Sequence, residues 1–281
     1  MMSGKLSVNL LLRANFSRLW RSASFWVALA VMFGTGVFEL TVGMNARRQG
    51  NPVPLDNRYM LFVLMSGVVL AAFCSLFVGA EYSDGTIRNK IAVGHSRANL
   101  YLANLVACAA AGVLVCLGYI LPMAAAGVPL MGGFELPLPS ILWFTLCALL
   151  MTASLCAVFT MAALLNQNKA VVAIICIFLA YFLLFLGIYL NSRLTEQAII
   201  PAQEYIENGQ ILVREAMPNP SYVQGIKRTI FEILYDLPGC QAVQLVATAE
   251  ACPVRLPLVS LGTIAVSTGI GLALFWRKDL K

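Results

Sequence analysis

With 281 residues, 60% of them hydrophobic and only 11% charged, the chain has too little polar surface to enclose itself in water, and its mean hydropathy of +0.81 says the same. That excludes an ordinary soluble enzyme of one or two domains. The formal net charge of +6 is modest, and no nucleic-acid partner is expected.

The first 24 residues form a basic, amphipathic approach, with Leu6, Leu10, Leu11, Phe16, Leu19 and Trp20 set among Lys5, Arg13, Arg18 and Arg21. No small-residue cleavage pattern closes the first apolar run, so no removable signal is expected. Two readings fit: a helix lying along the inner leaflet, or a simple positive anchor. The first apolar run covers 25–44 and carries one charge, Glu39, about five residues from its outer end. That is roughly 7.5 Å of helical rise, close enough for the carboxylate to reach the interface.

The second run covers 59–80. Gly67, Ala71, Ser75 and Gly79 recur in it every fourth residue and make one smooth stripe for close helix packing. Cys108, Gly112 and Cys116 form a shorter stripe in the third run, and Ser267 with Gly271 a pair in the sixth.

Between the second and third runs, residues 81–97 predict a short helix. Ser83 or Asp84 can cap it, Ile87 and Ile91 share a face, Gly94 can end it, and Ser96 can cap the following span. An apolar face beside an Arg/Lys face suits a groove on a cytoplasmic partner, or else a turn resting on headgroups. The third run, 98–128, lies within 37 residues free of Asp, Glu, Lys and Arg, longer than the about 20 residues that cross a bilayer. The fourth covers 141–165, the fifth 170–190 and the sixth 256–276.

Residues 191–255 are the one long stretch expected outside lipid. A hairpin is predicted at 204–213 around Asn208-Gly209, a helix at 222–235, a stop at Pro238-Gly239 and a second helix at 240–251. This outer segment is either a cap over an exit or a folded connector. Six of the eight cysteines fall inside the runs, where a thiol packs as a small hydrophobe. The remaining two, Cys240 and Cys252, are a candidate disulfide, although twelve residues of unbroken helix would hold them about 18 Å apart.

Six crossings put both termini on one side, expected to be cytoplasmic. Eleven of the 19 basic residues and three of the 13 acids lie there, a formal +8, leaving eight bases and ten acids, −2, opposite. Arg47, Arg48 and Arg58 run against the rule. The whole chain, 1–281, is expected to be a single membrane domain.

The basic lead-in Leu11-Leu12-Arg13-Ala14-Asn15-Phe16-Ser17-Arg18-Leu19 is one of several pieces similar to the permease subunits of type-2 ATP-binding-cassette exporters. The others are Glu81 with Gly85-Thr86-Ile87-Arg88-Asn89-Lys90, Gly94-His95-Ser96-Arg97, Tyr101 to Leu105, Asn219-Pro220-Ser221-Tyr222-Val223, and Phe275-Trp276-Arg277-Lys278-Asp279-Leu280-Lys281. Their order along nearly the whole chain carries the resemblance. It implies an all-α integral membrane fold of six transmembrane helices with an amphipathic N-terminal helix, a cytoplasmic coupling helix and a small outer α+β segment. Glu81, Gly85, Thr86, Ile87, Arg88, Lys90, Ile91, Gly94, Ser96 and Arg97 would then couple the chain to an ATPase.

The only Gly-Lys pair, Gly4-Lys5, is followed by Leu6, so the chain has no P-loop, and ATP would be bound by a partner subunit rather than as a cofactor here. The resemblance implies that ATPase partner, a second permease chain, identical or different, and a place in a bacterial cell membrane. Gly94-His95-Ser96-Arg97-Ala98 misses the last glycine of a nucleophile elbow, and neither a His-Glu-x-x-His motif nor paired cysteine spacing offers a metal site. The alternatives are a secondary transporter or channel, which would carry ionisable residues near the midplane, and a scaffold without transport activity. With Glu39 their one charged residue, the spans favour an apolar or amphipathic cargo.

Overall fold

Long apolar runs in lipid must satisfy their backbone internally, and each of these does so as a helix. The computed structural model describes residues 2–51, 54–207, 210–247 and 254–278, with backbone alone at 2–7 and 203–214. In chain order come α1 (Met2–Arg21), α2 (Ala23–Arg48), α3 (Leu55–Tyr59), α4 (Phe62–Ser83), α5 (Thr86–Ala92), α6 (Arg97–Pro122), a π-helical turn (Met123–Gly127) and α7 (Val128–Met131). They are followed by α8 (Leu138–Leu165), α9 (Lys169–Leu194), β1 (Ile199–Ile200), β2 (Gln203–Glu207), β3 (Gln210–Arg214), β4 (Met217–Pro218), α10 (Ile226–Tyr235), α11 (Gln241–Val246) and α12 (Arg255–Arg277).

Six candidate membrane spans stand among the described residues: Ala23–Arg48, Leu55–Ser83, Arg97–Met131, Leu138–Leu165, Lys169–Leu194 and Arg255–Arg277. Each contains its predicted run and extends it by a few residues, most of them polar, because a helix continues into the headgroup region before its backbone can be given to water. The third is interrupted: Pro122 has no amide to donate, and the helix widens into the π turn before resuming as α7.

The spans form two groups. Those built on α4, α6 and α8 bury at least half of their most apolar stretch inside the protein, while α2, α9 and α12 bury 22% of theirs and present the rest outward. α12 packs on α8, α9 on α4, and α2 against α6 and α4. Small residues set these contacts. A Cβ at Gly112 would stand 2.8 Å from Cys156 Sγ, and one at Gly79 would stand 3.2 Å from Lys169 Cα, so glycine lets α6 approach α8 and α4 approach α9. Ala71 and Ser75 are fully buried, and Gly67 faces Leu155 and Ala180. Ser267 and Gly271 accommodate Tyr101, whose hydroxyl donates to the Ser267 carbonyl at 3.3 Å.

α1 lies on α6 with Leu11, Asn15 and Leu19 inward and Leu10 and Trp20 outward. At the other end, Glu39 pairs with Arg58 at 2.7 Å instead of standing alone at the interface. That partner comes from the short α3, and it offsets one of the arginines counted against the charge rule.

Beyond α9 the chain forms two small antiparallel pairs. β2 and β3 pair from Gln203↔Arg214 to Glu207↔Gln210; the turn, Asn208-Gly209, lies outside the described residues. β1 and β4, two residues each, were not expected. The first helix begins at Ile226 and not at 222, because the stretch through Gly225 folds as a turn. Gly239, at φ +97°, breaks the chain as expected, and α11 runs only Gln241–Val246. Cys240 is buried against α9 with its thiol donating to the Leu183 carbonyl at 3.2 Å; Cys252 lies outside the described residues, and so does the candidate disulfide.

Candidate functional site

The end of the bundle that carries both chain ends is organised by the passage from α4 to α6. Gly85, at φ +67°, turns the chain out of α4, and only glycine takes that left-handed backbone without strain. Neither Ser83 nor Asp84 caps α5: Ser83 Oγ donates back to the Gly79 and Ala80 carbonyls at 3.3 Å, and Asp84 serves as the C-cap of α4. The Thr86 hydroxyl instead donates to the Glu81 carbonyl at 3.1 Å and ties the two helices together. Gly94, at φ +99°, ends α5, and Ser96 Oγ accepts the Asn99 amide at 3.2 Å to start α6.

Glu81 is the centre of the arrangement. Its side chain is fully buried, and it forms ion pairs with Arg18 of α1 and Lys90 of α5. Asn104 of α6 donates to its second oxygen at 3.1 Å and accepts from Arg18 at 3.2 Å. Lys90 also donates to Asn15 at 3.3 Å, and the Arg18 guanidinium sits 4.0 Å over the Phe77 ring. One carboxylate thus joins α1, α4, α5 and α6. A charge removed from water is tolerable only with this density of partners.

The apolar face of α5 is spent inside the bundle: Ile87 is 2% exposed and Ile91 is packed against the core. Replacing Ile87 by Glu would therefore disturb the fold as well as any interface. Arg97 donates to the carbonyls of Phe275, Trp276 and Lys278 at 3.0, 2.9 and 2.6 Å, closing the end of α12. Of the positions singled out in sequence, then, Glu81, Lys90, Ile87, Gly85, Thr86, Gly94, Ser96 and Arg97 build or hold the turn. Arg88 is exposed, alongside Asn89 and Val93, the last 82% exposed. A cleft of about 150 Å³ beside them is lined by Glu81, Tyr82, Arg88 and Gln167.

Tyr82 and Lys278 add a second tie that the sequence did not signal. The Tyr82 hydroxyl bonds the Leu164 carbonyl, and Lys278 Nζ donates to both at 3.0 Å while lying 4.4 Å from the Tyr82 ring centre. Burial lowers the Lys278 amine to a pKa of about 8. Nor does the sequence single out Arg18 and Asn104 as partners of Glu81, or Asn15 as a partner of Lys90. One signal was available: Asn104 is an amide in an otherwise apolar span, and a polar group at that depth needs a partner.

Chemically, the arrangement is a joint. No group of three or more His, Cys, Asp or Glu residues among the described residues is placed to hold a metal ion. A family model described as "ABC-2 family transporter protein" matches residues 11–186, which take in every residue of the Glu81 cluster and the first four spans with most of the fifth. No curated protein matches the chain.

Proposed function

The chain belongs to the ABC-2 family of transporter proteins and is a membrane permease subunit, and we propose that it is an export permease driven by a separate ATPase that docks on α5. The carrying observation is the Glu81 joint. A push on the exposed side of α5 is conveyed through Lys90 and Glu81 to α1, α4 and α6 together, so a seven-residue helix moves three elements. Two buried donors in that joint, Asn15 Nδ2 and Arg18 Nε, have no partner among the described residues, which lowers the cost of re-pairing as the helices shift.

In this reading the positive end, with α5 and both chain ends, faces the cytoplasm of a bacterial cell. ATP is bound by the partner. Two permease chains and two ATPase chains complete the transporter, because six spans supply half of a pathway. The cargo is apolar or amphipathic.

The test is co-purification of the full chain with a P-loop ATPase from gently solubilised membranes. An Arg88→Glu/Val93→Glu variant, altered only at exposed positions, is expected to lose about tenfold or more of the ATPase while keeping its melting temperature. Undiminished ATPase retention would overturn the docking role.

A further inference from the structure

We propose that the cavity where α9 meets α10, at the end of the bundle opposite the chain ends, binds one anionic amphiphile: a membrane lipid with a phosphate headgroup. The cavity is about 670 Å³. Its walls are Tyr189 and Arg193 of α9, Lys227 and Phe231 of α10, and the Pro220-Ser221-Tyr222 stretch, a motif singled out in the sequence that the α5 joint does not use.

Charge selects the headgroup. Arg193 and Lys227 both line the cavity, and among the described residues no carboxylate lines it and neither cation has an ion-pair partner. Neighbouring Arg228, by contrast, is answered by Glu232 at 3.2 Å. Arg193 is held in place, its guanidinium 5.5 Å from the centre of the Tyr189 ring, and Tyr189 packs on Phe231 at 6.1 Å. Ser221 and Tyr222 add hydroxyls.

The acyl chain is selected by what lies below. Tyr189, Phe185, Phe182 and Phe178 follow one face of α9 and are 49%, 64%, 53% and 71% exposed. Their eleven-residue separation is about 16 Å of helix, one leaflet of a hydrocarbon core about 30 Å thick. A cationic head site opening onto an aromatic strip one leaflet long matches a lipid and exceeds what a free phosphate needs. A second copy of the chain docked through this same patch would set cations against cations.

The inference rests on membrane embedding alone; neither transport direction nor the ATPase enters it. Purified full-length protein is titrated with phosphatidylglycerol or phosphatidylcholine and read by native mass spectrometry. The expected result is one phosphatidylglycerol per chain, held about tenfold more tightly than phosphatidylcholine. Arg193→Gln/Lys227→Gln removes that preference, Arg193→Lys retains it, and Phe185→Ser weakens both lipids. Equal retention of the two lipids by the unaltered protein, or a preference that survives in the double variant, would overturn the proposal. So would equally tight binding of inorganic phosphate alone, which assigns the site to a soluble anion. Lipid found on monomers and absent from dimers would give the face to a second copy instead.

Discussion

At Glu81 a single carboxylate answers cations from two helices and an amide from a third, so removing it leaves Arg18 and Lys90 facing one another in a partly closed space. Glu81→Ala is expected to cost about 3 kcal/mol, read as a lower melting temperature in detergent, whereas an exposed acid such as Asp84 replaced by Ala should change it little. Equal melting temperatures would show that the cluster holds nothing. Lys278 makes a separate prediction. With its amine at about 8 against the usual 10.5, the unfolded lysine binds more protons between those values, so docking of this residue strengthens as pH rises through that window and carries its full cost below pH 8. Acylation of Lys278, followed by peptide mass mapping, should show a midpoint near pH 8; a midpoint above 10 would place the amine in water. Neither residue's role was legible in the chain: Lys90 stands only 9 positions from Glu81, but Arg18 is more than sixty away, and Lys278 finds its partners more than a hundred positions away.

Elements were far more legible than contacts. Each span could be recognised because lipid imposes one solution on an apolar run, whatever surrounds it. The β2–β3 hairpin is visible in the sequence through the Asn208-Gly209 pair between two short runs, while the two-residue β1–β4 pair is too short to leave a period. α5 shows the limit. Its apolar face was plain, but a stripe of Ile87 and Ile91 looks the same whether it meets a partner or its own bundle, and only the packing decides for the bundle. Close helix approach is testable at this scale. Gly112→Ala drives a methyl against Cys156 and should cost about 1–3 kcal/mol, while Gly262→Ala, with nothing within 4 Å, should leave the melting temperature unchanged or raise it. Equal effects would deny that α6 and α8 need the glycine.

Across the whole molecule, one buried trio of spans and one peripheral trio divide the work. The spans of α4, α6 and α8 make the packed centre, and the Glu81 joint grips two of those helices; α2, α9 and α12 offer broad apolar faces to lipid or to other chains. The joint and the α9–α10 cavity stand at opposite ends, so the proposed ATPase docking and the proposed lipid binding would be kept apart. This division requires α5 to face the compartment that holds ATP. The direct measurement is a Val93→Cys variant treated with a membrane-impermeant maleimide, since Val93 is 82% exposed and the described native cysteines are buried. The account predicts no Val93-dependent labelling of intact cells and full labelling once the membrane is opened; labelling in intact cells would contradict it.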